Sequence, residues 1–237
     1  MLQIDTKYVD LKVSDGTSMR GYVARPKEKG KHPGILVFQE AFGVNGHIRS
    51  VAERFSKEGF VAIAPELFHR SAPGFEGAYN DFASARGQME KMTVEGQEAD
   101  FRAAGDWLKS QDDVDGSKMV CVGFCMGGRA SFIAAGILPL KAAVSFYGGG
   151  IAPALLGRAA SVQAPLLFFW GEKDTHISRE QRIQVLESLA KHGKSYVNID
   201  FADANHGFLC DQRESYHPAS AKLAWDAMMS FFRLYLA

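Results

Sequence analysis

Residues 118–135 read KMVCVGFCMGGRASFIAA, and this stretch decides the fold class. Its first part, up to Val122, is apolar and rich in β-forming residues, and its last part, from Arg129, has the composition of a helix. The glycine-flanked cysteine between them matches the turn that joins a strand to a helix and exposes a central nucleophile. Side chains at Gly123 and Gly127 are expected to collide with the neighbouring strand and helix. The stretch predicts a sharp strand–turn–helix elbow with Cys125 at its apex.

Cys125 would lie over the N-terminus of the helix that starts near Met126. The positive end of a helix stabilises a thiolate, and its free backbone N–H groups bind an oxyanion. The alternative is a buried structural cysteine beside a glycine-rich helix start. Cys125 is therefore a candidate nucleophile, with that alternative open.

The composition fits one large α/β domain over residues 1–237, with 46% apolar residues. The 27 basic and 27 acidic residues cancel, so neither nucleic acid nor an anionic membrane is expected as a partner. No signal-peptide pattern is present, and no apolar run approaches the roughly 20 residues of a membrane span. Three cysteines without CxxC spacing predict no disulfide framework. A reducing cytoplasm is the expected location, and the sequence does not set the oligomeric state.

Strands and helices alternate along most of the chain, which predicts a mostly parallel central sheet with helices on both faces. A hairpin at 7–14 and 20–25 is expected to precede it. Further strands are predicted at 33–38, 60–64, 118–122, 141–147, 164–170 and 196–201. Helices are predicted at 47–58, 81–110 with an interruption at Gly96, 129–135, 178–192 and 219–235, and a loose excursion at 68–80.

A thiol nucleophile needs a base to ionise it and an acid to orient that base. Downstream of Cys125, Asp174 follows a buried strand and His206 follows the last strand. The order nucleophile, acid, histidine is that of α/β-hydrolases, and strand ends are where sites of open α/β sheets assemble. Glu172 and Asp203 compete for the acid role, although Asp203 is near enough to His206 in sequence to shape its loop instead. We expect Cys125, Asp174 and His206 to form a catalytic triad.

The segment QEAFGVN at 39–45 follows a strand. In hydrolases of this order such a loop supplies one oxyanion N–H group, and the residue after the nucleophile supplies the other. We therefore assign the oxyanion hole to the N–H groups of Ala41 and Met126. Glu40 ends an otherwise apolar strand, where an unpaired carboxylate is expensive to bury. A solvated strand-end charge is the alternative for Glu40.

The other histidines, His176 among them, do not directly follow a predicted strand, although His69 is expected near the cleft. No H-x-x-H or HExxH spacing, P-loop or early GxGxxG occurs, so no metal or cofactor is expected. Cys121 is expected in the core. Cys210, close to His206, is either pocket-lining or merely buried.

Together these residues resemble the dienelactone hydrolase family of α/β-hydrolases, across most of the chain. The resemblance is carried by QEAFGVN at 39–45, PELF at 65–68, APG at 72–74, GFCMGG at 123–128, YG at 147–148, Asp174 and NHGF at 205–208. It implies an α/β-hydrolase fold and a triad of Cys125, Asp174 and His206. It also implies that Glu40 hydrogen-bonds the resting thiol and shifts when substrate binds.

In the best-known members of that family two arginines hold the carboxylate of a dienelactone. One of them lies four residues after the catalytic histidine, where this chain has Cys210, and Arg86 is the candidate match for the other. A missing arginine removes a bidentate clamp that cysteine cannot imitate. The expected substrate is therefore not strictly dienelactone.

The sequence predicts a cysteine-dependent hydrolase of a small ester or lactone that acts through a thioester, with a range that extends to aryl esters or activated phosphoesters. Phe42, Arg86, Tyr147, Phe208 and Cys210 are the predicted substrate pocket. Two alternatives remain: a non-catalytic binding protein of the same fold, and a thiol-redox protein that uses the elbow cysteine as a peroxide sensor. Neither role needs an acid and a histidine as well.

Overall fold

The structure, a computed structural model, describes residues 2–237. Its strands are β1 (Ile4–Lys12), β2 (Ser18–Pro26), β3 (His32–Phe38), β4 (Val61–Pro65), β5 (Val114–Phe124), β6 (Ala142–Phe146), β7 (Leu166–Gly171) and β8 (Tyr196–Phe201). Its helices are α1 (Gly46–Lys57), α2 (Phe82–Met89), α3 (Val94–Lys109), α4 (Met126–Ile137), α5 (Arg179–Lys191) and α6 (Pro218–Leu236). A short 3-10 helix spans Leu156–Ser161.

The strands follow the order β1-β2-β4-β3-β5-β6-β7-β8 in the sheet. Strand β2 pairs antiparallel with both β1 and β4, whereas the pairs β3–β4, β6–β7 and β7–β8 are parallel. Parallel pairing follows from the helices that separate these strands in sequence. The predicted leading hairpin and the mostly parallel sheet are both confirmed.

The chain divides into two compact units, one ending at Val120 and the other beginning at Cys121. In the first unit, residues 35–38 of β3 are fully buried, as a continuous apolar run in a parallel sheet requires. Helix α1 is capped at its N-terminus by Asn45, whose side chain accepts a hydrogen bond from the Ile48 amide, 3.2 Å away. It ends before Gly59, which has a φ of +96°. The expectation of one domain over 1–237 stays a prediction.

The predicted break of the helical region at Gly96 is wrong. Helix α2 ends at Met89, and α3 starts at Val94 after the N-cap Thr93. The Thr93 hydroxyl accepts a hydrogen bond from the Gly96 amide at 3.0 Å, so Gly96 lies in the first turn of α3. A threonine cap starts a helix by satisfying an amide that has no carbonyl partner within it.

In the second unit, aromatic side chains of β6 and β7 form the core. Phe146 and Phe169 are paired in register and their rings stack with centroids 4.5 Å apart. Helix α5 begins with a capping box formed by Ser178 and Gln181. The 3-10 helix was not predicted. Within residues 2–237 no helix combines the length and apolarity needed to cross a membrane.

Candidate active site

Cys125 lies between the end of β5 and the start of α4, with a φ of 56° and a ψ of −116°. Such a conformation costs about 1–3 kcal/mol for a residue with a side chain, and it is kept only where the surroundings impose it. Here the Cys125 amide donates to the Phe146 carbonyl at 3.0 Å, and the Cys125 carbonyl accepts from the Gly128 amide at 2.9 Å. The elbow is therefore held from both sides.

Close backbone packing explains the glycines around the elbow. A Cβ atom on Gly123 would lie 1.8 Å from the carbonyl oxygen of Gly127, far inside contact distance. A Cβ on Gly128 would lie 2.7 Å from both the Gly148 Cα and the Phe146 carbonyl oxygen. The predicted collision of a side chain at Gly123 is confirmed.

The three cysteines differ in their access to solvent. Cys125 is partly exposed, whereas Cys121 and Cys210 are buried. Burial raises the pKa of the Cys121 thiol to about 12, although hydrogen bonds with Ser131 and Val144 oppose the shift. Cys125 is the N-cap residue of α4, where the helix dipole favours a negative charge. Chemistry that requires an accessible thiolate is therefore confined to Cys125.

His206 and Asp174 form a buried pair in the loops after β8 and β7. The distance from His206 Nδ1 to Asp174 Oδ2 is 2.8 Å, with side chains 8% and 2% exposed. The other carboxylate oxygen of Asp174 accepts from the amides of His176 at 2.7 Å and Ile177 at 3.2 Å. Burial alone would raise the pKa of Asp174, but the hydrogen bond and charge of His206, with the two amides, hold it below its ordinary value.

The His206 ring also forms a hydrogen bond with Cys125. Burial disfavours the charged ring, but the electrostatic interaction with Cys125 and the hydrogen bond with Asp174 outweigh it and raise the pKa of His206 to about 10. The protonated ring is therefore the favoured form of His206 at neutral pH. In this arrangement His206 can donate a proton to one atom of a bound molecule while the Cys125 sulfur attacks a different atom of it.

The two competing acids have other partners. Glu172 accepts hydrogen bonds from Nη1 and Nη2 of the buried Arg182, at 3.0 and 2.9 Å. Asp203 is exposed and pairs with Lys173 at 3.3 Å. Of the three candidate acids, Asp174 is the one that contacts His206.

Tyr147 and Phe208, both expected to line a pocket, are fully buried. The ring centroids of Tyr147 and His206 are 5.0 Å apart, and Phe208 packs edge-on against Tyr147 at 5.3 Å. Tyr147 has a φ of 38° and directly follows β6. It therefore forms one wall against the catalytic histidine candidate, with Phe208 behind it. Cys210 is 0% exposed, and its amide donates to the Gly207 carbonyl at 3.0 Å.

Four other predicted residues belong to the first unit. Glu40 and Ala41 are both fully buried, so the alternative of a solvated charge at Glu40 is wrong. Phe42 is 2% exposed and packs on Tyr79 with ring centroids 4.8 Å apart. Arg86 is largely exposed on α2, where its Nε pairs with Glu90 at 2.8 Å.

Sequence reasoning missed His176. Its ring meets that of His206 edge-on with centroids 5.1 Å apart, and its amide holds Asp174. His176 does not directly follow a predicted strand and was therefore not a candidate. Its position two residues after Asp174 was nevertheless a usable signal. His176 joins the candidate site through the Asp174 loop.

Comparison with known proteins decides the family. The model of the dienelactone hydrolase family matches residues 19–236. This chain belongs to that family. A provisionally named carboxymethylenebutenolidase of Synechocystis sp. is 36% identical over 222 residues, covering 90% of each chain. The predicted resemblance is confirmed, and membership makes the chain a hydrolase that acts on esters or lactones.

Solved structures of dienelactone hydrolase relatives agree with the fold. A provisionally named dienelactone hydrolase from Klebsiella pneumoniae is 29% identical, with a TM-score of 0.89 and coverage of 98% of this chain and 100% of that one. A dienelactone hydrolase-like promiscuous phosphotriesterase from metagenomic libraries is 26% identical, with a TM-score of 0.83 over 97% and 98% of the two chains. The predicted α/β-hydrolase fold is confirmed.

Proposed function

We propose that this chain hydrolyses a small ester or lactone with Cys125 as nucleophile, His206 as acid and base, and Asp174 as the group that orients His206. The observation that supports this most is the hydrogen-bonded series from Asp174 through the His206 ring to Cys125, at the N-terminus of α4. An orienting acid fixes the tautomer of the histidine and stabilises the imidazolium.

Acylation begins with the thiolate. The Cys125 sulfur attacks the carbonyl carbon, a C–S bond forms, and the carbonyl electron pair moves to its oxygen. As the intermediate collapses, the C–O bond to the leaving group breaks and the His206 imidazolium donates its proton to the leaving oxygen. The product of this half-reaction is a thioester on Cys125 and neutral His206.

The oxyanion needs donors that are already in place. The Met126 N–H group follows the nucleophile at the first turn of α4, the usual place for one donor. Such a donor is worth about 3 kcal/mol in comparable enzymes. Ala41 as the second donor, and Glu40 as a partner of the resting thiol, stay predictions that rest on the segment 39–45.

Deacylation uses water. His206 takes a proton from the water as its oxygen attacks the thioester carbonyl, and the C–S bond then breaks. The carboxylic acid leaves, and the thiolate and imidazolium are restored. A reducing compartment such as the cytoplasm is the proposed location, because it would protect an accessible thiolate from oxidation.

The substrate range follows from Cys210. It is buried and carries no cation, so dienelactone is not proposed as the specific substrate. The relative that is a promiscuous phosphotriesterase supports a side activity on activated phosphotriesters. In that side reaction the Cys125 sulfur would attack phosphorus in place of carbon. We expect slower turnover of phosphotriesters than of esters.

Turnover of p-nitrophenyl acetate separates the hydrolase from the two alternatives. Cys125→Ala should abolish turnover, whereas Cys121→Ala, a matched change of a buried thiol, should leave it unchanged. Iodoacetamide should label Cys125 ahead of the two buried thiols. Full turnover by Cys125→Ala would refute the mechanism and leave Cys125 with a redox role at most.

A further inference from the structure

Two other aromatic rings contact the ring of His206. The ring centroids of Tyr147 and His206 are 5.0 Å apart, and those of His176 and His206 are 5.1 Å apart at an interplanar angle of 75°. Tyr147 is 0% exposed, whereas His176 is an exposed residue. The His206 ring is therefore contacted by Tyr147 from the interior and by His176 from the solvent side.

The backbone that carries His176 is held on both sides of the residue. The His176 amide donates to Asp174 Oδ1 at 2.7 Å. The next residue, Ile177, is buried, and its amide donates to the same oxygen at 3.2 Å. Ser178 then caps the start of α5 with a capping box. Because this backbone is fixed, only the side-chain torsions of His176 decide where its ring lies.

The hydrogen bond with Asp174 does not by itself fix the whole ring of His206. A single hydrogen bond at Nδ1 restrains that nitrogen more than it restrains the tilt of the ring. A catalytic histidine must also keep its second nitrogen directed at the reacting atoms, and a small displacement there costs rate. Edge-on contacts between aromatic rings are favourable and have a preferred geometry. The contacts with Tyr147 and His176 therefore restrict the tilt that Asp174 leaves open.

The place of His176 also bears on the access of water to the pair that it contacts. The side chains of His206 and Asp174 are 8% and 2% exposed, although the loop that carries His176 is at the surface. An exposed ring that contacts a buried ring covers part of it. A hydrogen bond from which water is excluded is electrostatically stronger than one in water.

We propose that His176 is a positioning residue whose ring, together with Tyr147, sets the tilt of His206 and shields the Asp174–His206 hydrogen bond from water. Its effect on turnover rests on the proposed function, because it acts through the histidine of that site. The contact is one between rings, so another flat ring at position 176 should serve as well. No proton transfer by His176 is required.

The first test removes the ring and keeps the backbone amide that donates to Asp174. In His176→Ala, kcat for p-nitrophenyl acetate should fall about tenfold while KM changes by less than about twofold. Circular dichroism should stay that of the wild type, because the side chain is exposed. His176→Phe restores a flat ring and should recover kcat to within about threefold of the wild type. His192→Ala, which removes an exposed histidine at the C-terminal end of α5, is the matched control and should leave kcat unchanged.

Two results of this test would overturn the proposal. An unchanged kcat in His176→Ala would mean that the ring does not act on His206. A kcat of His176→Phe as low as that of His176→Ala would mean that the imidazole nitrogens, and not the ring contact, matter at this position.

The second test separates the positioning of His206 from a general change in the pocket. Phenyl acetate and p-nitrophenyl acetate share an acyl group, but phenolate depends more than p-nitrophenolate on a proton from His206 as it leaves. The ratio of kcat/KM for phenyl acetate to that for p-nitrophenyl acetate should therefore fall at least about threefold in His176→Ala and recover in His176→Phe. An equal fall for both esters would overturn an action through His206.

The third test does not use turnover. The proton that His206 shares with Asp174 should give a far-downfield NMR signal in the wild type, because its hydrogen bond is short and shielded from water. This proton should exchange with water faster in His176→Ala than in His192→Ala. Equal exchange rates in the two variants would overturn the shielding.

The outcome for His176 and the outcome for the proposed function can be told apart. Turnover that persists in Cys125→Ala refutes the proposed function, whatever the His176 variants do. If Cys125→Ala is inactive while His176→Ala matches the wild type in all three tests, the proposed function stands and the role of His176 is overturned.

Discussion

The carboxylate of Asp174 divides its two oxygens between different tasks: Oδ2 holds His206 Nδ1 at 2.8 Å, and Oδ1 holds the His176 and Ile177 amides. The two amides hold the carboxylate within the loop after β7, independently of its hydrogen bond with the imidazole. A carboxylate anchored in this way can orient the ring without moving itself.

Asp174→Asn should keep much of the shape but lose the charge and favour the wrong tautomer of His206. We expect kcat for p-nitrophenyl acetate to fall by roughly 10²–10⁴, in line with the corresponding change in other triads. Circular dichroism should stay that of the wild type. Glu172→Gln is the matched control, and its kcat should change little. A kcat of Asp174→Asn within a factor of two of the wild type would contradict the role of Asp174.

The raised pKa of His206 should be visible by NMR titration of the histidine ring. In the wild type this ring should stay protonated until well above neutral pH, with a pKa of about 10. In Cys125→Ala the negative charge that raises the pKa is gone, and the pKa should fall by more than one unit. An unchanged titration in Cys125→Ala would mean that no thiolate–imidazolium pair exists.

The same shift has a consequence for stability. Because the folded-state pKa of His206 is raised, its contribution is complete below the unfolded-state pKa near 6.5. It is lost as the pH rises through about 10. The difference in the free energy of unfolding between the wild type and His206→Gln should therefore shrink from pH 6 to pH 10, measured by urea unfolding. A difference that grows over this range would reverse the sign and refute the pair.

Gly123→Ala should disrupt the elbow, because the new Cβ would lie 1.8 Å from the Gly127 carbonyl oxygen. We expect the free energy of unfolding to fall by about 1–3 kcal/mol or more, with loss of esterase activity. Gly87→Ala in α2 is the control, because a Cβ there meets nothing within 4 Å. That change should stabilise the protein by about 0.5–1 kcal/mol.

The two ion pairs of Arg182 are more buried than the pair Lys222–Asp226, and they should contribute more to stability. Arg182 is 5% exposed and pairs with Glu172 and Asp200, whereas Lys222 and Asp226 form an exposed i,i+4 pair on α6. Arg182→Met should cost about 2–4 kcal/mol in the free energy of unfolding, because it leaves two carboxylates without their partner. Lys222→Met should cost less than about 0.5 kcal/mol. Equal costs by urea unfolding would contradict this assignment.

Much of the fold was predictable because its strands are apolar runs bounded by glycine and proline. Strand β8 was predicted at its observed bounds, and the helix α6 to within a residue at either end. The sequence does not place the break between α2 and α3 correctly, because the helix starts at the cap Thr93 and Gly96 lies within its first turn. The 3-10 helix at Leu156–Ser161 is too short to show a period in sequence.

The candidate site, like the fold, was only partly predictable from the sequence. Chain order and placement after strands found Asp174 and His206, whose pairing depends on topology. They did not find His176, because a contact between two separate loops has no period in sequence. The burial of Glu40 was also not predictable from the sequence, because the three-dimensional fold decides whether a strand end is exposed to solvent or covered.

The central claim is that a thioester forms on Cys125. Intact-protein mass spectrometry after rapid mixing with p-nitrophenyl acetate, followed by peptide mapping at acid pH, tests it most directly. The account predicts a single acetyl adduct on the peptide that carries Cys125 in the wild type and none in Cys125→Ala. An adduct of equal yield in Cys125→Ala, or one that maps to another residue while turnover persists, would contradict the account.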